Sequence, residues 1–244
     1  MASAFHDLAE TLGNRSFLAL FCAGIFASMG AGITAALAIY LNTYFWELTS
    51  TQISVFVLSG FVAAVLGVAA APPLSRRIGK KAGGIGVSLA AVILAPLPVA
   101  LRLLGWLPAN GEPSLMLVLL VFNVLTIMLA IMSGILTSSM VADIVEDSEV
   151  TTGRRSEGVF VAANSFVQKA TSGVGIFASS LLLGAIDFPR HAQPGQVDPA
   201  VIRTLGLVYV PTLVGLYLVA IAFLATYRID RAAHEENLRR LRSA

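Results

Sequence analysis

The sequence predicts an all-α integral membrane protein with six transmembrane helices, and three observations carry that prediction. Hydrophobic residues make up 57% of the 244 and charged residues only 12%, about half the charge of an average soluble domain. Six stretches are free or nearly free of charge, each longer than the roughly 20 residues a helix needs to cross about 30 Å of hydrocarbon. Lys and Arg gather in alternate connections, as they do when one side of a membrane faces the cytoplasm.

The charge-free stretches place the spans at about 16–46, 51–74, 82–107, 114–142, 157–187 and 203–227. Helix is the spanning structure these imply, because every backbone N–H and C=O must be satisfied away from water. The strict alternation of a membrane β-strand is absent. Pro96 and Pro98 each remove a helical hydrogen bond and predict a bend in the third span. Gly24, Ser28 and Gly32 recur every four residues in the first, a spacing that allows close helix packing. Residues 1–15 precede the first span, and they carry Asp7 and Glu10 before a long apolar run, unlike a secretory signal. Residues 228–244 mix both signs of charge and predict an amphipathic tail helix at the membrane surface.

Orientation follows from the basic residues. Arg15, the loop Arg76, Arg77, Lys80 and Lys81, the pair Arg154 and Arg155, and five arginines of the tail fall on one side. Only Arg102, Arg190 and Arg203 fall on the other. Both termini are therefore expected in the cytoplasm, in the inner (plasma) membrane of a cell.

Composition also excludes functions. A lone cysteine, Cys22, rules out a disulfide framework, and His6, His191 and His234 make no metal-ligand spacing. A net charge of +2 and the lack of a basic, aromatic-laced stripe give no reason to expect nucleic acid. No span carries HExxH, a serine elbow with a buried histidine, or paired membrane aspartates, so an enzyme is not expected.

Three features carry chemistry. Lys169 lies about a dozen residues into the fifth span, close to mid-bilayer, where a lysine costs at least ~2.5–3.5 kcal/mol and normally faces a bundle interior. Asn164, Gln168 and Ser172 share one face of that helix, with Ser165 beside Lys169. Between the fourth and fifth spans, Asp143, Glu146, Asp147 and Glu149 precede Arg154, Arg155 and Glu157, a set suited to ion pairs that break and re-form. After the second span comes the basic turn Pro73-Leu-Ser-Arg76-Arg77-Ile-Gly-Lys80-Lys81.

The stretch SMVADIVEDSEVTTGRRSEG, followed by a span containing SFVQK, is similar to the glycoside–pentoside–hexuronide:cation symporters, the melibiose-carrier-like branch of the major facilitator superfamily. In that family the loop between helices 10 and 11 reads roughly D-x-x-D-Y-x-E-x-K-x-G-x-R-x-E. Asp143, Glu149, Gly153, Arg155 and Glu157 match it, and Glu146 stands for an aspartate. Asp147 replaces the usual tyrosine and Thr151 a frequent lysine. Asn14-Arg15-Ser-Phe17 and Tyr44-Phe-Trp46 resemble the two ends of the family's helix 7.

The resemblance implies that the six spans are helices 7–12, one half of a major facilitator fold. It implies a symporter half that moves a sugar or glycoside-like solute by alternating access with an N-terminal six-helix half. Lys169 would then neighbour the coupling-ion site, with Na⁺ or H⁺ as the ion and its main ligands outside these spans. Asn123, Asn164, Ser165 and Gln168 would be candidates to meet the solute, and Asp143, Glu146, Glu149, Arg154, Arg155 and Glu157 a cytoplasmic gate. Gly134 stands where the family carries a sugar-stacking tryptophan. No cofactor is implied. Two other expectations stay open: a lipid or lysolipid carrier of the same fold, and a membrane scaffold that transports nothing.

Overall fold

The structure, a computed structural model, describes residues 15–152 and 157–227. Arg154, Arg155, the N-terminal segment and the expected tail helix lie outside the described residues. The side chains of Asp147, Glu157, Asn164, Gln168 and Ser172 also lie outside what is described.

Every regular element among the described residues is helical. They are α1 (Arg15–Tyr40), which runs on into a π turn over Leu41–Phe45, then α2 (Ser50–Ile78), α3 (Lys80–Leu94) and α4 (Leu97–Leu103). After a loop come α5 (Pro113–Thr152), α6 (Glu157–Ala185) and α7 (Pro199–Ala225). With α3 and α4 taken as one pass, the described residues make six helical passes, in keeping with the expected all-helical fold. Among the described residues, Arg15–Phe45, Ser50–Ile78, Lys80–Leu103, Pro113–Glu146 and Pro199–Ala225 are long and apolar enough to cross a membrane.

Local chemistry sets the ends of these helices. Thr49 and Gln52 cap α2 reciprocally: the Gln52 N–H donates to Thr49 Oγ1 at 3.3 Å and the Thr49 N–H donates to Gln52 Oε1 at 2.8 Å. Arg76 and Arg77 stand in the last turn of α2, where the helix dipole favours cations. A single residue, Gly79, joins α2 to α3 at φ +84°, a conformation that a Cβ would strain. The expected bend of the third pass is a break, because α3 ends at Leu94 and α4 begins beyond Pro96. Asp198 caps α7 by accepting from the Ala200 N–H at 2.8 Å, with Pro199 in the first turn. The helix of the fourth pass carries its charged continuation to Thr152, ten residues beyond the apolar span expected from sequence.

The passes pack as two groups of three. α1 lies against α6 and α7, α5 lies against α2 and α3, and α3 meets α7 to join the groups. Direct contact between α1 and α5 is sparse. Exchanging α1 with α5, α2 with α6, and α3 with α7 maps the contacts of one group onto those of the other and the α3–α7 contact onto itself. No internal repeat is visible in the sequence, yet the packing has one, and chain direction reverses between the two groups.

A glycine lets two helices approach closely in each group. A Cβ at Gly175 of α6 would stand 2.6 Å from the Met29 carbonyl and 2.9 Å from Gly32 Cα of α1. A Cβ at Gly67 of α2 would stand 2.9 Å from the Met128 carbonyl of α5. In lipid, where apolar side chains gain little from leaving the solvent, such close backbone approach is a main source of association. Of the Gly24, Ser28 and Gly32 series, Gly32 is at such a contact, whereas Gly24 faces open space.

Candidate functional site

The end of the bundle that carries the basic loop is closed. Phe17, Leu20, Met140, Ile144, Leu224 and Tyr227 form one buried cluster there. Above it, the Lys80 ammonium donates to Asp143 Oδ1 at 2.5 Å, tying the start of α3 to the far part of α5. The Asp143 side chain is only 5% exposed, so its charge is held chiefly against protein rather than water. Two features that the sequence presents separately, the basic turn and the acidic helix end, thus meet in one ion pair. Arg76 and Arg77 are exposed, while Lys81, Glu146 and Glu149 are half-buried.

Toward the opposite end the sparse α1–α5 contact leaves a cavity of about 170 Å³. Its polar lining is Thr34 and Asn42 from α1 and its π turn, Asn123 and Thr126 from α5, and Tyr209 from α7, with the Trp46 indole beside them. No described residue in its wall carries a formal charge. Asn123 is fixed in place: its Nδ2 donates to Ser59 Oγ at 2.9 Å and to the Phe56 carbonyl at 3.3 Å, both on α2. The carboxamide oxygen of Asn123 and the hydroxyl of Thr126 are chemically suited to polar solute groups.

The π turn matters to this lining. The Trp46 N–H reaches back to the Leu41 carbonyl at 2.8 Å, and the Leu48 N–H to that of Asn42 at 2.8 Å. Extra residues in a helical turn shift the face that follows, and such turns gather at functional sites. Here the shift accompanies Asn42 in the cavity wall while Phe45 and Trp46 pack into the core around Leu37, Leu205 and Tyr209.

Among the described side chains, Asn123 is the one sequence candidate for solute contact found in this wall. Ser165 and Lys169 are exposed on α6, and no described side chain of α6 lines the cavity. Within the six passes, then, the structure does not bring Lys169 and Ser165 together with Asn123. Lys169 makes no ion pair among the described residues. Thr34, Asn42, Thr126 and Tyr209 were missed at the sequence level. One signal was available: Leu119, Phe122, Asn123 and Thr126 follow helical spacing along one face of a charge-free run.

Residues 1–231 match a protein-family model described as MFS/sugar transport protein. The chain is 29% identical over 202 residues to an isoprimeverose transporter of Lactiplantibacillus pentosus, covering 78% of this chain and 38% of that protein. It is 27% identical over 230 residues to an uncharacterized symporter, YjmB, of Bacillus subtilis (strain 168), covering 91% and 46%. A third relative, the uncharacterized symporter sll1374 of Synechocystis, is 25% identical over 236 residues, 94% of this chain and 41% of that protein. The chain thus spans less than half the length of each of these relatives.

Proposed function

Since the chain belongs to the MFS/sugar transport protein family, we propose that its six passes are half of a cation-coupled symporter for a neutral sugar or glycoside-like solute. The observation that carries this reading is the uncharged cavity walled by Asn42, Asn123, Thr126, Tyr209 and Trp46. Hydroxyl-rich rings need many neutral donors and acceptors together with an aromatic face, and few charges. An amphiphile would be better served by an apolar wall open to the bilayer, so the lining favours the sugar over the lipid reading. One relative is named for isoprimeverose, a solute of the class proposed.

Transport by alternating access needs a second six-helix body facing this one, with the solute between them. The basic end of the bundle is cytoplasmic on this proposal, and the membrane is the cell's inner membrane. The Lys80–Asp143 pair then braces the cytoplasmic ends of α3 and α5 while the facing body moves. Lys169, exposed within these six passes, borders the space between the bodies and tunes a Na⁺ or H⁺ site whose carboxylates belong to the facing body.

The test is uptake in proteoliposomes that contain this chain together with a family N-terminal six-helix body. Cation-dependent uptake of a labelled pentose or pentose-containing disaccharide is expected, reduced at least tenfold by Asn123→Leu. Lys169→Ala should weaken the dependence on the cation gradient more than the binding of solute. Uptake that ignores the gradient, or none of any sugar with a well-folded complex, would overturn the proposal.

A further inference from the structure

At the end opposite the basic loop, outer on the topology proposed above, a second cavity of about 390 Å³ has charge where the first has none. Arg102 at the end of α4, Arg203 in the second turn of α7 and Glu47 after the π turn all line it. Its volume falls in the range of small-ligand sites, about 300–1,000 Å³.

Arg102 is preorganised. Its Nη1 donates to the Pro108 carbonyl at 2.5 Å and its Nη2 to Asn110 Oδ1 at 2.8 Å. Asn110 in turn donates to the Phe45 carbonyl at 3.1 Å, so the guanidinium is fixed to both the loop and the end of α1. A guanidinium has five N–H donors, and this arrangement leaves some of them for a ligand. Arg203 is exposed and makes no ion pair among the described residues. It stands near the opening of a 27-residue helix, where the dipole adds positive potential. Tyr44, also in the lining, donates to the Ala192 carbonyl at 3.2 Å and fastens the long loop over the cavity.

The surroundings indicate depth. Trp106, three residues past the lining Leu103, is 74% exposed, and an exposed tryptophan at the end of a span belongs at the headgroup boundary. Two guanidinium groups at that depth suit a phosphate. Glu47, the one acid among the described lining residues, is complementary to an ammonium.

We propose that this cavity binds a phosphoethanolamine group, with its phosphate on Arg102 and Arg203 and its ammonium toward Glu47. The group can come from a free phosphate ester or from a phospholipid headgroup.

Both tryptophans of the chain, Trp46 and Trp106, lie within a few residues of Glu47 or Arg102, so intrinsic fluorescence can read the site. The purified 244-residue chain in a nonionic detergent is titrated with phosphoethanolamine and with inorganic phosphate. It is then placed in nanodiscs of phosphatidylethanolamine or of phosphatidylcholine. A saturable response to phosphoethanolamine, at least fivefold tighter than to phosphate, is expected, or a thermal stabilisation confined to the ethanolamine nanodiscs. The first outcome identifies a soluble ester as ligand, the second a lipid headgroup, and either supports the proposal.

Arg203→Gln should weaken binding at least tenfold with the melting curve of the free protein unchanged. Glu47→Gln should abolish the preference over inorganic phosphate. Two results would overturn the proposal: no response in either setting, or an Arg203→Gln protein that responds as wild type does. Binding requires neither transport nor a known sidedness, so its failure would leave the symporter reading standing.

Discussion

Two helix pairs, α6 on α1 and α2 on α5, do the same mechanical work with different surfaces. In each, one glycine lets the helix sit almost on its neighbour's backbone, Gly175 at Met29 and Gly67 at Met128. Six residues before its glycine, each helix turns an exposed side chain outward: Lys169 on α6 and Phe61 on α2. The neighbours of Phe61 on that surface are apolar too, with Val57, Leu58 and Val65 all more than half exposed. The contact is therefore shared by the two groups of helices, while the outward chemistry is particular to each. One flank suits lipid or an apolar helix, and the other needs water, a solute or a polar partner.

The largest effect should come from filling the tighter contact. Gly175→Val sets side-chain atoms against three backbone atoms of α1 that cannot rotate away, and overpacking of that kind costs about 3 kcal/mol or more. Loss of most monodisperse protein in detergent is the expected readout. Giving α2 the charge of α6 comes next: Phe61→Lys should lower membrane integration by about 2.5–3.5 kcal/mol in an insertion assay. Equal integration of this variant and wild type would mean that the two flanks share an environment after all.

Gly67→Val should be milder than Gly175→Val, about 1–3 kcal/mol by denaturation in mixed micelles, because part of what it meets is the Ile131 side chain. The smallest effect is expected at Gly134, six residues past Met128, as the exposed Ala35 is six past Met29. A Cβ there meets nothing within 4 Å. Gly134→Trp should leave the melting temperature within a degree or two, and it should tighten sugar binding if the aromatic ring restores a stacking surface.

How far these features were legible varied with their physical origin. The passes could be read because each is a charge-free run, and the break at Pro96 because a proline ring cannot donate a hydrogen bond. Asn123 could be singled out because an amide is conspicuous among apolar neighbours. Its companions could not, since Asn42 and Tyr209 come from helices far apart in the chain and only packing brings them to one cavity. Lys80 and Asp143 were each noticed as charged, but 63 residues separate them and neither names the other. The two-fold packing was invisible because its key contact needs only a glycine against a carbonyl, and Met29-Gly-Ala-Gly32 has little in common with Met128-Leu-Ala-Ile131. Lys169 was rightly located on a helix, but its exposed position away from the Asn123 cavity follows from how α6 packs on α1, which spacing along one helix does not encode.

The one-residue joint at Gly79 has a consequence for motion. The other described connections between consecutive passes are longer, and they lie at the opposite end, over 46–49, 104–112 and 186–198. α2 and α3 thus share a one-residue hinge at the basic end, and toward the other end α2 is held by α5 through Asn123. A helix of 29 residues is about 43 Å long. Pivoting by only about 5° at Gly79 carries its Thr49 end through roughly 4 Å, by the same helical rise. That is comparable with the width of a side chain, while the fulcrum hardly moves.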